Sequence, residues 1–375
     1  MTESTPAAPS PARPGSLVLR RVVSGMRPTG KLHLGHFHGA VKNWIALSQT
    51  ADCFFFSADW HALTTDYNDP SKIEAATRDM FADWVAAGLN PEKVTLFVQS
   101  RVKQHAELYL LLSMIAPLGQ LERVPTFKDQ QEQLREKDLA TLGFLGYPVL
   151  QTADIVLYGA DSVPVGQDQV SHLEYARELV RRFNNLYAPR VKVTKRLPKP
   201  NRKNPFEIEY QDILVEEIQE VLVEPRPLLT EVPKILGLDG RKMSKSYNNA
   251  IELGEESESA RKRIMTAVTD PARVRRTDPG NPEVCGIYHL HRAYSPAETV
   301  ETVNVECRRA GIGCVDCKKM LLVSLLPELE KHRAARAEID RTPGRLDELV
   351  QLGTRKAQAV AEETMQKVRA AMSLG

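Results

Sequence analysis

Apolar residues along this chain fall into two alternating rhythms. Short runs rich in β-branched and aromatic residues at Leu17–Val23, Asp52–Trp60, Lys93–Ser100 and Ala160–Gly166 read as strands. Between them lie segments of helical period, among them Pro70–Gly88, which closes on "GLNP", and Gln169–Phe183. Strands alternating with helices of this length predict an α/β domain, a doubly wound parallel sheet with helices on both faces. Ligands of such sheets sit at the carboxyl ends of the strands, and Ser24, the Asp59 turn, Ser100 and Gly166 all lie at such ends. Beyond Ile251 the pattern turns almost wholly helical, through Arg341–Gly353 and Arg355–Gly375. The predicted division is a tail at 1–16, the sheet domain at 17–250 and an all-helical domain at 251–375.

Composition narrows this little. With 42% hydrophobic and 26% charged residues the chain has ample material for a core, and its length suits roughly two to three domains of about 150 residues. A net charge of +2 does not mark a nucleic-acid binder, so any basic surface is local. No apolar run approaches the roughly 20 residues of a membrane span. Met1–Gly15 is rich in Pro, Ala and Ser without an apolar stretch; it reads as a disordered tail and not a signal peptide, and a cytoplasmic location is expected.

Two short segments carry the chemistry. "SGMRPTGKLHLGH" (Ser24–His36) follows a strand and reads as a Gly-rich turn opening a helix, where unpaired N–H groups and the positive end of the helix dipole suit phosphate. "GRKMSKS" (Gly240–Ser246) places Lys242 and Lys245 on a polar loop free to move onto a polyphosphate. A lone histidine on a helix is ordinarily a surface or satisfied core residue, and His38 keeps that reading. For His33 and His36 the adjoining turn and the second lysine-bearing segment favour phosphate contact.

"HLGH" (His33–His36) and "KMSKS" (Lys242–Ser246), in that order, resemble the two signature motifs of class I aminoacyl-tRNA synthetases. The stretches Gln120–Asp129, Gly146–Asn184 and Pro233–Ser246 make the resemblance closest to the bacterial-type tryptophanyl-tRNA synthetases. It runs from about Val22 to the last helix, omitting Lys195–Gln219. The resemblance implies a Rossmann-like catalytic domain ending in the KMSKS loop, a helical anticodon-binding domain, and tryptophan-tRNA ligase activity. ATP and L-tryptophan would form tryptophanyl-adenylate and pyrophosphate, and tryptophan would then pass to tRNA(Trp). It further implies that Arg27, Pro28, Thr29, Gly35, His36, Gly166, Gln167, Asp168, Ile235, Lys242, Met243, Ser244, Lys245 and Ser246 hold ATP. His33, His36, Lys242 and Lys245 would act as charge leaves with pyrophosphate, assisted by Mg²⁺; Lys128 is a further phosphate candidate. Arg27 and His36 stand where many members carry Gln and Asn.

For the amino acid, the resemblance makes Asp154 the acceptor of the indole N–H. A buried carboxylate with one designated donor rejects substrates lacking that donor. Val163 and Val165 would supply flat walls, Tyr147 and Gln169 would meet the amino end, and Gln151 stands where several relatives have Met. Tyrosyl specificity is the near alternative; those enzymes usually place a tyrosine where this chain has Val23 and lack "LERVPTFKD". Two alternatives from other classes are an adenylyltransferase that never meets tRNA and a regulatory paralogue without synthetase activity.

Cys53 reads as a small buried hydrophobe. Cys285, Cys307, Cys314 and Cys317, spaced C-x21-C-x6-C-x2-C, fit a tetrahedral Zn²⁺, a [4Fe–4S] cluster or four free thiols. A subset of the bacterial tryptophanyl enzymes has closely similar spacing and implies the [4Fe–4S] cluster. The basic segments Arg261–Arg276 and Cys317–Met320 suit a tRNA backbone. Pro189–Pro205, basic and Pro-rich, reads as an exposed loop. The family implies a homodimer with Ala106–Gly119 as one candidate face, and neither DNA nor membrane among the partners.

Overall fold

The computed structural model describes residues 21–123, 141–200, 208–229 and 235–374. Expectations for the 1–16 tail, for Lys128 and for most of Gln120–Asp129 lie outside the described residues, as do the side chains of Asp168 and Ser246. The strands in chain order are β1 (Arg21–Met26), β2 (Asp52–Ser57), β3 (Thr95–Val98), β4 (Ser162–Val165), β5 (Arg190–Pro200), β6 (Ile208–Ile218) and β7 (Arg226–Leu229). Five form one parallel sheet in the order β3-β2-β1-β4-β7. The chain winds outward from β1 to β3, then returns to lay β4 on the other side of β1. That reversal opens a crevice beyond the carboxyl ends of β1 and β4.

β1 runs to Met26, further than the apolar run alone suggested. Ser24, Gly25 and Met26 continue the register against Phe55, Phe56 and Ser57. A Cβ on Gly25 would lie 2.4 Å from the Phe56 ring, so glycine lets the ring lie flat on the strand. The chain then turns through Gly30 at φ +95° and enters a helical stretch comprising Leu34–His36, a π turn at Phe37–Val41 and Lys42–Leu47.

The expected Pro70–Gly88 helix is a 3₁₀ turn at Pro70–Lys72 leading into Ile73–Ala86, and the segment after Gly166 forms Val170–Tyr187. The last helix, Pro343–Ala371, returns to lie across β3, where Gly353 meets the Leu96 backbone. One apolar cluster joins Val22, Trp44 and Trp84 to Ile287, Leu321 and Val350. The helical region after Ile251 therefore shares its core with the sheet. Cys53 is fully buried within that cluster.

The Pro189–Pro205 stretch is not a loop through Pro200. It forms β5, which pairs antiparallel with β6 through an eleven-residue register. Each strand is an edge of this two-stranded sheet, and an edge tolerates Pro198 and Pro200. The charge of β5 is met across the hairpin: Lys195 pairs with Glu217, while Arg196 and Lys192 stand opposite Asp212 and Glu216. Among the described residues no helix is long and apolar enough to cross a membrane.

Candidate active site

Backbone stitches the first signature segment to the stretch just beyond the second. Leu34 N–H donates to Ile251 O and Leu253 N–H to Leu32 O, both at 2.9 Å. His33 caps the Leu34–His36 turn, its Nδ1 accepting from His36 N–H at 3.3 Å, and the two imidazoles stack with centroids 3.6 Å apart. Accepting at Nδ1 puts the His33 proton on Nε2. Burial, reinforced by the Lys245 charge, draws His33 down to about 4. Burial and the adjacent His33, Lys245 and Lys242 hold His36 well below the usual imidazole range. Both rings are neutral at pH 7, each carrying one N–H and no charge.

The KMSKS segment is less free than its composition suggested. Asn249, 2% exposed, accepts from Ser244 N–H at 2.7 Å and donates to Asp239 Oδ1 at 2.7 Å and Lys242 O at 3.1 Å. Lys245 Nζ reaches back to Thr29 O at 3.1 Å, bringing the lysine onto the turn between β1 and the first helix. Met243 is buried, its Sδ accepting from Gly35 N–H at 3.4 Å. Met243 and the His33 ring thus cover the face of Gly35, against which the resemblance would lay the adenine of ATP. Ile235 is buried in the same apolar cluster as Met243, and Lys242 is exposed.

At the switch point itself lies a cavity of about 410 Å³. Its walls come from Val23–Gly25 of β1, Val163–Val165 of β4 and the Tyr147–Val156 helix. Tyr147, Gln151, Asp154, Val163, Val165 and Gln169, six residues singled out from sequence, all line it, together with Arg27 and Gly166. Pro28, Thr29 and the lysines of the loop do not; they belong to the neighbouring turn and loop.

Asp154, 2% exposed, has more partners than one substrate donor. His61 Nε2 lies 2.7 Å from Oδ2, and His105 Nδ1 lies 2.6 Å from Oδ1. Gln99 Nε2 donates to both oxygens at 2.7 and 2.9 Å. Burial alone would raise this carboxyl, but the two imidazoles outweigh it and hold Asp154 below the usual carboxylate range. The expectation of a carboxylate paired only by its ligand is therefore corrected. Sequence reasoning missed His61, Gln99 and His105, although all three come soon after the carboxyl end of β2 or β3, where such sheets place functional groups.

The four C-terminal cysteines are free thiols on converging segments. Cys285 and Cys314 stand at the starts of the Gly286–Tyr294 and Cys314–Arg341 helices, and Cys307 near the end of Ala297–Arg308. Arg273 Nη1 lies 3.8 Å from both Cys307 and Cys314 Sγ, with Nη2 fixed on Ile312 O at 2.6 Å. His291 Nε2 lies 3.5 Å from Cys317 Sγ. Burial, and then the charges of the other three cysteines, push Cys317 up to about 12. Among the described residues no three His, Cys, Asp or Glu side chains gather closely enough to grip one metal ion. Lys318, within the basic Cys317–Met320 segment, is buried and caps the Ser257–Thr266 helix through Met265 O at 2.9 Å and Ala267 O at 2.6 Å.

A parallel sheet with its cavity at the switch point and two stitched phosphate-type motifs beside it is the frame of a class I synthetase. The family described as tRNA synthetases class I (W and Y) matches residues 19–326, and the chain belongs to it. The tryptophan–tRNA ligase of Ralstonia nicotianae is 47% identical over 393 aligned residues, covering 94% of this chain and 98% of that protein. That of Thermotoga maritima is 48% identical over 356, covering 94% and 99%. The crystal structure of Campylobacter jejuni tryptophanyl-tRNA synthetase complexed with ADP and tryptophan superposes with a TM-score of 0.76 at 29% identity, covering 94% of this chain and all of that one.

Proposed function

We propose that this chain is a tryptophan–tRNA ligase: it activates L-tryptophan with ATP to tryptophanyl-adenylate and pyrophosphate, then transfers tryptophan to the 3′ end of tRNA(Trp). The switch-point cavity carries the reading. It is apolar at Val163 and Val165, with one buried anion, Asp154, in its wall. An indole fits that combination, its ring against the valines and its N–H toward the carboxylate.

Activation asks little covalent work of the protein. The substrate carboxylate attacks the α-phosphorus, the bond to the bridging oxygen breaks, and pyrophosphate leaves with its charge. The protein aligns the reactants and neutralises the developing charge. Neutral His33 and His36 supply N–H donors, Lys242 and Lys245 supply positive charge, and Mg²⁺ would enter with the nucleotide. Met243 must leave the face of Gly35 for adenine to stack there.

The cysteines would hold a [4Fe–4S] cluster. Burial, with the neighbouring thiols, pushes Cys285, Cys307 and Cys317 up, and a strongly cationic group would ionise them on binding. The spacing C-x21-C-x6-C-x2-C, with a single C-x2-C pair, supports the cluster over a Zn²⁺ site. The cluster's chemistry would be to brace four segments of the helical region. Arg261, Lys262, Arg275, Arg276 and Lys319 remain exposed nearby for a tRNA backbone. A homodimer is part of the same reading: Leu108 and Leu112 of Gln104–Ser113 are core, while Leu110, Met114 and Leu118 face outward.

ATP–pyrophosphate exchange with each of the twenty amino acids, on anaerobically purified protein, tests the reading. Exchange with tryptophan alone is expected. Exchange with tyrosine would overturn the role of Asp154, and no exchange at all would leave the regulatory paralogue. Iron and sulfide in that preparation, lost in Cys317→Ser, are expected; zinc or no metal would overturn the cluster.

A further inference from the structure

Behind Asp154, away from the cavity, stand two fully buried side chains that no part of the reaction uses. His105 and Tyr158 are both 0% exposed. His105 bridges them, Nδ1 at 2.6 Å from Asp154 Oδ1 and Nε2 at 2.7 Å from the Tyr158 hydroxyl. The ring is packed between Phe56, Phe97 and Tyr158, so it cannot swing away. Burial, and then the Asp154 charge, raise Tyr158 well above the ordinary phenol range, so its hydroxyl keeps its proton. The retained phenol proton is placed to donate to Nε2, the ring nitrogen turned away from Asp154. That leaves the His105 proton on Nδ1, where it donates to the carboxylate.

We infer that His105 and Tyr158 are positioning residues that fix the direction of the Asp154 carboxylate and thereby set the enzyme's preference for a substrate ring bearing an N–H. The inference rests on the proposal that Asp154 accepts the indole N–H, and deepens it. His61, the other histidine on Asp154, lines the cavity and is within reach of substrate; His105 and Tyr158 do not line it. Their influence must pass through the carboxylate. Without the Tyr158 hydroxyl, Nε2 loses the donor that polarises the ring, and Nδ1–H holds Oδ1 less firmly.

The test compares tryptophan with its benzothiophene isostere, in which sulfur replaces the ring N–H, by kcat/KM in ATP–pyrophosphate exchange. Wild type should prefer tryptophan by about tenfold to a hundredfold, the worth of one hydrogen bond to a charged group. Tyr158→Phe and His105→Gln should shrink that preference to about threefold or less, mainly through the KM for tryptophan, with the isostere little affected. A purely structural role would lower both substrates together and leave the ratio intact, which would overturn the inference. Tyr158→Phe keeps the ring that packs the core, so the test survives if His105→Gln folds poorly. If wild type itself shows no preference, the role of Asp154 fails and the inference with it; an intact preference that the variants do not move sinks the inference alone.

Discussion

Asn249→Ala is the sharpest perturbation of the nucleotide half of the site. The side chain is 2% exposed and makes three hydrogen bonds, to Ser244 N–H, Asp239 Oδ1 and Lys242 O. Each is worth about 1 kcal/mol net, and burial keeps water from replacing them, so removal should cost about 3 kcal/mol. That loss falls on the loop bearing Lys242 and Lys245, since Asn249 ties together its two ends. A bias of about 3 kcal/mol is about a hundredfold in the population of the ordered loop. The assay is ATP–pyrophosphate exchange at saturating tryptophan, beside tryptophan binding followed by calorimetry without ATP. Exchange efficiency toward ATP should fall by up to about a hundredfold, and tryptophan affinity should hold within about threefold. Gly237→Ala provides the control in reverse. Its Cβ would lie 2.3 Å from Asn249 Nδ2, so it should push the same side chain aside and reproduce the ATP defect with Asn249 present. A matching loss of tryptophan affinity, or unchanged use of ATP, would refute the assignment of the loop to the nucleotide.

Lys245→Ala should lower exchange by about a hundredfold to a thousandfold, as for other groups meeting transition-state charge, without weakening tryptophan binding; equal losses in both would place Lys245 elsewhere. Gly353→Ala would bring a Cβ to 2.0 Å from Leu96 O, forcing the last helix off β3. Its calorimetric melting temperature should drop by the equivalent of about 1–3 kcal/mol, and an unchanged value would contradict that close approach. His33 and His38, both buried, are drawn to about 4 chiefly by burial, so the unfolded chain binds protons more readily than the fold. Stability present above about pH 6.5 should therefore be lost as pH falls toward 4, by up to about 3 kcal/mol for each ring. Denaturant titrations across that range, with His38→Phe as comparison, measure it; a variant that falls as steeply as wild type would show that His38 is not a source.

What the chain discloses before folding, and what it withholds, follows from how far each interaction reaches. β2 and β3 were legible because Phe54, Phe55, Phe56 and Phe97 are buried on both sides of a parallel sheet, and such strands read as unbroken apolar runs. β5 was not, because prolines within a basic stretch argue against a strand unless that strand is an edge. Edge status depends on β6, whose sequence lies beyond the prolines. The cavity residues were nameable one by one, from a resemblance. Their common lining depends on the reversal that sets β4 beside β1.

The same limit explains the carboxylate. Asp154 stands out as an acid in an apolar helix, and an acid there needs a partner, so a ligand was the natural candidate. The fold instead supplies His61 after β2 and Gln99 and His105 after β3, three donors that meet only because parallel strands end at one edge of the sheet. That changes the expected selectivity. A carboxylate left bare by the wrong substrate would reject it by about 10⁴–10⁵. One that keeps three donors loses a single hydrogen bond, worth about 1.5–3 kcal/mol, or about tenfold to a hundredfold. The remaining discrimination between aromatic substrates must come from the shape of the walls at Val163, Val165 and Gln151. Enlarging those walls should therefore broaden the accepted ring systems more than removing one donor from the Asp154 cluster.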